Sequence, residues 1–235
     1  MLCVLTSFCA AAQAGKLGGE KAKGHPAYYI DSVVLLVDPL LLPPPAQDTA
    51  AAAGELAELH RIQDSRTPEQ VAAAIADDRE EDIFTYRTVL GGAFKAESLP
   101  LTAALSVHVH GEESAVGLGL KKMFARMRPY QADKTLHPVC KLTDAHNSYP
   151  SGHTLSGYLL AFTLAEMVPE KKQQILERAD DYAHNRLVCG VHYASDLEAS
   201  RRTAYVVFGA MMANPRFVQD MQAAGVEVRA ALSAH

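Results

Sequence analysis

Tryptophan is missing from this chain of 235 residues, and aromatic residues make up only 7% of it. A buried core therefore has to rest on Leu, Val, Ala, Phe and Tyr. Positive charge is not in excess: 22 Lys and Arg stand against 27 Asp and Glu, a formal charge of −5. That balance excludes a broad basic face for nucleic acid and leaves room only for a local basic pocket. Long apolar runs are lacking too. Residues 33–42 carry Asp38 and Pro39 and run into Pro43, Pro44 and Pro45, and the stretch 155–168 contains Glu166. Residues 203–213 supply about half of the ~20 residues that a bilayer helix requires, so no membrane span is expected. Strand-like alternation is confined to Val107-His108-Val109-His110, too short for a sheet, and there are no internal repeats. With 49% apolar and 21% charged residues, the chain suits one large compact domain, or at most two small ones, with a soluble surface.

Residues 1–14 are apolar and end in Ala12-Gln13-Ala14 before Gly15, a pattern resembling a signal-peptidase site, although no positive charge precedes it. The reading is a truncated signal peptide on a periplasmic or secreted protein; the alternative is a mildly apolar end of a cytosolic one. Removing the leader takes Cys3 and Cys9 with it and leaves Cys140 and Cys189. In an oxidising compartment those two form one bridge, closing a loop of about 50 residues and worth roughly 4 kcal/mol by chain entropy. Two buried thiols are the alternative.

Residues 15–46 read as an extended arm, since Pro39 and Pro43–Pro45 forbid helix. Residues 47–235 read as a single helical domain. Helix formers begin after Asp48, and Thr67-Pro68-Glu69-Gln70 spells a capping box with Pro at the first helical position. That helix is expected to run on toward Phe84. Pro100 opens a stretch expected to break near Gly111, and a further helix runs from about Ser114 to Arg128, stopped by Pro129. Leu155, Tyr158, Leu159, Phe162 and Ala165 mark a buried helix after Ser151. Pro169 begins the next one, in which Ile175, Leu176, Ala179, Tyr182, Ala183 and Arg186 share a face. Asp196 leads into another that carries Tyr205 to Met212, and Asn214-Pro215 starts an amphipathic tail helix. The fold class is all-α.

Three segments are costly to place and complementary in charge. In Lys121-x6-Arg128-Pro129, a seven-residue helical step would put both cations on one face, aimed at one anion; alternatively they belong to a solvated basic face with Lys122 and Arg126. Tyr149-Pro150-Ser151-Gly152-His153-Thr154 sets a turn at a helix N-terminus, where free amides favour an anion, Gly152 permits close approach, and His153 can act as acid or base. In Arg186-x5-His192-x3-Asp196, helical i, i+4 spacing would let Asp196 orient His192 and leave the other ring nitrogen nucleophilic. Each has a bland reading alone, as a capped helix start or a structural ion pair. Together they supply charge neutralisation, a nucleophile and a general acid, the parts of a phosphate site. His108 and His110 offer a metal pair, but at i, i+2 on a helix they diverge, so no metal or other cofactor is expected.

The three motifs, in this order, resemble the signature of the type 2 phosphatidic acid phosphatase superfamily, and within it the class A bacterial non-specific acid phosphatases. The resemblance implies a compact helical bundle of the kind shared with vanadium haloperoxidases. It also implies metal-independent hydrolysis of a broad range of phosphomonoesters through a phosphohistidine, with possible phosphotransfer. Carried over, His192 is the nucleophile, Asp196 orients it, and His153 protonates the leaving oxygen and later activates water. Lys121, Arg128, Ser151, Gly152 and Arg186 hold the phosphate oxygens. One position departs: the family has Ser before the third-motif Arg, where this chain has Asn185. Small phosphomonoesters are the expected partners, with phosphate or vanadate as inhibitors, in a homodimer or larger homo-oligomer. A vanadate-dependent haloperoxidase or a lipid phosphatase would use the same anion site, and a phosphate-binding or structural helical protein would bind without turnover.

Overall fold

Capping residues and prolines set where most of the helices begin. The computed structural model describes residues 27–30 and 41–233. The expected leader, residues 1–14, and most of the arm, residues 15–46, lie outside the described residues. Helix α1 spans Ala50–Ser65, with the Thr49 side chain accepting from the Ala52 amide. Helix α2 spans Pro68–Arg79 and carries the capping box in both directions, Thr67 with the Gln70 amide and Gln70 with the Thr67 amide. It stops earlier than the expected run toward Phe84. Asp82 instead accepts from the Phe84 amide and caps a 3₁₀ turn, Ile83–Tyr86, whose four side chains are all buried.

The largest departure from the sequence reading concerns α3, one unbroken helix over Pro100–Phe124. It includes the His108–His110 stretch and passes straight through Gly111. A Cβ at Gly111 would meet nothing within 4 Å, so this glycine costs only its intrinsic propensity, about 1 kcal/mol. Burial of Leu105, Val109, Val116 and Leu120 along the same helix outweighs that cost. The helix then ends at Phe124, four residues before Arg128, and Ala125 after it adopts left-handed φ 42° and ψ 41°. Pro129 does not end α3 but begins a short turn, Pro129–Ala132, and Arg128 before it is extended at φ −74° and ψ 157°, as a residue preceding proline should be. Lys121 and Arg128 therefore do not share a helix face.

Helix α4, Gly152–Met167, is buried almost all round, with Glu166 as its exposed residue. It is the central element, packing against α3, α5 (Lys172–Val188), α6 (Ala194–Met212) and α7 (Pro215–Ser233). A helix apolar on every side has to sit inside a bundle. Helix α5 turns Ile175, Ala179, Tyr182, Ala183 and Arg186 inward, the face the sequence indicated. Helix α6 is longer than the Tyr205–Met212 segment and starts at Ala194, so His192 precedes it.

Among the described residues there is no strand, and no helix is long and apolar enough to cross a membrane. Cys140 and Cys189 are disulfide-bonded, with Cα atoms 5.2 Å apart and a sequence separation of 49. The bridge ties the loop after Pro129–Ala132 to the end of α5, just beyond Arg186. Gly190 follows at φ 72°, packed against Pro138 in a backbone conformation that disfavours a side chain, and the chain reverses there toward His192.

Candidate active site

Several segments of the chain meet at the site. The turn after α5 delivers His192, and the first turn of α6 delivers Asp196. Asp196 Oδ2 accepts from the Tyr193 amide at 2.9 Å and lies 3.2 Å from His192 Nδ1. The expected His–Asp contact is thus made although His192 is not helical: Asp196 caps its own helix and holds the imidazole with the same oxygen. On the other edge of the ring, Nε2 lies 3.2 Å from Arg128 Nη1. A guanidinium has no acceptor, so Arg128 donates and the Nε2 lone pair faces outward, with the proton on Nδ1. Burial, then Arg128, Arg186 and Lys121, holds this imidazole well below its ordinary pKa, hence neutral. His192 is 1% exposed, beneath Arg128.

Arg128 itself is fixed by Asn147 Oδ1 on Nε at 2.9 Å and by the Val191 carbonyl on Nη1 at 3.1 Å. It lines a cavity of about 770 Å³ together with Arg186, His153, Asp78, Glu81 and Asn147. Arg186 comes from the last turn of α5 and donates to Asp78 Oδ1 at 2.7 Å. Its Nε is buried with no hydrogen-bond partner among the described residues, a donor that an anion would satisfy. His153, in the first turn of α4, sits 3.3 Å from the Asp78 carbonyl and 3.3 Å from Glu81 Oε1.

The helix start is used in part. Ser151 Oγ caps the Thr154 amide at 3.4 Å, and the Ser151 amide donates to the Asp196 carbonyl. This leaves the first-turn amides of Gly152 and His153 for a ligand. A Cβ on Gly152 would fall 2.7 Å from Lys121 Nζ, so only glycine lets that ammonium lie against the turn. Lys121 does not line the cavity and is paired with Glu113 Oε1 at 3.1 Å. The site is therefore assembled from α3, α4, α5, the Arg128 turn and the His192–Asp196 segment.

Several participants carried no local signal. Arg126, which the sequence assigned to a solvated face, bonds Asp196 Oδ1 at 2.6 Å and Glu55 Oε2 at 2.6 Å, and stacks on Tyr193. Ser148 donates to Asp196 Oδ2 at 2.6 Å. Asp78, the Arg186 partner, lies 108 residues away in an Ala-rich helix. Asn185 is absent from the cavity wall; its amide braces Asp77 Oδ2 at 2.7 Å.

Burial, reinforced by Arg186, lowers the His153 imidazole to about 3 and so favours its neutral form. The unfolded chain takes up that proton near 6.5, so between these values the folded state loses stability as pH falls. A His153→Gln variant is free of this penalty. It should gain on the wild type by up to about 1.4 kcal/mol per pH unit below 6.5, read as the difference in urea unfolding between about pH 7 and about pH 4.5. A pH-independent difference would contradict the depressed value.

Three sets of similarities bear on this chain. A curated non-specific acid phosphatase of Salmonella typhimurium is 35% identical over 106 residues, 43% of this chain and 42% of that protein. An acid phosphatase of Zymomonas mobilis is 36% identical over 121 residues, 49% of this chain and 45% of that protein. These matches span less than half the length of either relative. Among solved structures, a transmembrane PAP2 type phosphatidylglycerolphosphate phosphatase from Bacillus subtilis superposes with a TM-score of 0.52 at 16% identity, covering 77% of this chain and 90% of that one. That likeness bears on the fold alone. The family profile described as PAP2 superfamily matches residues 99–219, a stretch that holds the site residues from Lys121 to Asp196 and more than half of the 235 residues. The chain therefore belongs to the PAP2 superfamily.

Proposed function

We propose that this protein is an acid phosphatase, hydrolysing small phosphomonoesters through a phosphohistidine on His192. The observation that carries the reading is the placement of the buried His192 imidazole, its Nε2 against Arg128 and its Nδ1 against Asp196. The acid phosphatase names of the relatives support the substrate class.

A phosphate group entering the cavity takes the Arg128 and Arg186 guanidinium donors, the Gly152 and His153 amides and the Lys121 ammonium onto its oxygens. Phosphoryl transfer needs mainly positioning and charge stabilisation, and these groups supply both. Nε2 of His192 attacks phosphorus as the bond to the leaving oxygen breaks. Asp196 stabilises the positive charge that develops on the ring. His153 gives its proton to the departing alkoxide. In the second half His153 takes a proton from water, whose oxygen bonds to phosphorus as the P–N bond breaks and returns its electron pair to Nε2. An alcohol in place of that water gives phosphotransfer.

Burial and Arg186 favour neutral His153, so it acquires its proton as the phosphate dianion arrives. Binding is then linked to proton uptake, and activity favours acid pH. The reading extends to an exported protein, which the Cys140–Cys189 bridge supports, and to a homo-oligomer, for which exposed Leu101, Val107, Tyr205 and Val226 offer apolar surface.

The test is quenched turnover of a labelled phosphomonoester followed by mapping of acid-labile, alkali-stable phosphate. Label on His192 is the expected result, and label elsewhere, or none during turnover, would overturn it. His153→Ala should slow an alkyl phosphate far more than p-nitrophenyl phosphate, because only the poor leaving group needs the proton.

A further inference from the structure

The Lys121 ammonium already has an anion beside it. Glu113 and Lys121 lie eight residues apart on α3, two turns along one face, and their side chains meet at 3.1 Å. Between them on that face is Gly117, where a Cβ would fall 2.9 Å from Glu113 Oε1. Across from it is Gly152, where a Cβ would fall 2.5 Å from the same oxygen. Two residues without side chains thus leave a slot in which the carboxylate reaches the ammonium. The pair is largely withdrawn from water, with side chains 12% and 16% exposed. Both charged groups lie against Gly152, in the first turn of α4, so an anion drawn to that turn and to Lys121 meets the Glu113 carboxylate.

We infer that Glu113 is a specificity-determining residue of this site, an internal carboxylate that competes with the phosphate dianion for Lys121 and yields it by taking up a proton. This deepens the phosphatase reading and rests on it. Two anions cannot share one ammonium in a partly desolvated slot without strong repulsion. Bound phosphate therefore favours the protonated form of Glu113, and by linkage phosphate affinity rises as pH falls. Full substrate dianions at neutral pH are penalised, whereas in acid the lysine is released to them.

Lys121 and Glu81 act on this carboxylate directly, and other titratable groups belong to the same site. Lys121 and His110 lie on α3, His153 on α4, Asp78 on α2, Glu81 on the turn after it and Arg186 on α5, with His192 and Arg128 beyond Lys121. Glu81 feels the Glu113 charge directly. A comparison between variants at each pH removes what they share, including the ionisation of phosphate itself.

The experiment measures the inhibition constant of inorganic phosphate against p-nitrophenyl phosphate hydrolysis, and direct phosphate titration by calorimetry, from about pH 5 to about pH 7.5. Wild type is compared with Glu113→Gln, which keeps shape and removes the charge. The wild-type to variant ratio of inhibition constants should climb toward neutral pH, by about tenfold for one linked proton. Glu113→Ala should give the same trend if the Gln variant folds poorly, and the climb should persist when Glu81→Gln is added to both. A ratio independent of pH, or weaker phosphate binding by Glu113→Gln throughout, would overturn the inference, since Glu113 would then merely place Lys121. Wild type that neither hydrolyses nor binds phosphate would instead sink the phosphatase reading.

Discussion

Replacing His192 with Ala should lower kcat for p-nitrophenyl phosphate by about 10⁴-fold or more. The loss has to be this large because the proposed reaction routes the phosphoryl group through Nε2, and among the described residues no second lone pair lies in the same place. His153 is held by the Asp78 carbonyl and Glu81, not by the Arg128 guanidinium that would carry the phosphate. The remaining donors would still bind the anion, so phosphate inhibition of residual activity should survive the substitution. Steady-state kinetics with circular dichroism as a folding control measure this. Near-normal turnover in a folded variant would remove His192 from the nucleophile role.

The second large effect falls on stability. Arg126→Met should destabilise the protein by about 3–5 kcal/mol, because it leaves the fully buried Asp196 carboxylate without its cation. Burial already pushes the Asp196 carboxyl above its ordinary pKa, and Arg126, Ser148 and the Tyr193 amide oppose that rise. Glu55 loses its partner in the same step, and with it part of the hold on the Ser195 amide at the start of α6. Activity should fall as well, since Asp196 sets the proton position on His192. The double variant Arg126→Met/Asp196→Asn separates the two effects: it should recover part of the stability, since the buried Asp196 charge is gone while Glu55 stays without its cation, but not the turnover. Urea unfolding of the four proteins in this cycle yields the coupling energy. A loss below about 1 kcal/mol for Arg126→Met would mean that the pair behaves as a surface one.

These two residues illustrate what was legible in the sequence and what was not. His192 stands in a motif whose partner, Asp196, is four residues away, so a short reading frame suffices to pair them. Arg126 lies between two residues of a recognised motif and looked like solvent-facing charge, because its partner is 70 residues off. Asp78 and Glu113 escaped for the same reason: one pairs across the bundle, and the other needs two glycines from different helices to open its slot. Breaking α3 at Gly111 failed because local propensity was weighed without the buried face that overrides it.

The sequence alone determined what depends on neighbours within a few residues: helix starts at Thr67-Pro68 and Ser151, the inward face of α5, the all-α class and the three motifs. The tertiary structure decided which charges face each other. It carried α3 through Gly111, ended it at Ala125 so that Arg126 and Arg128 turn into the site, and set Asp78 and Glu113 against Arg186 and Lys121, with Glu81 beside His153. The physical reason is range. Hydrogen-bonded caps and side-chain periodicity act over one or two helical turns, whereas burial and Coulomb pairing act between whatever the packed helices bring close, at any distance along the chain.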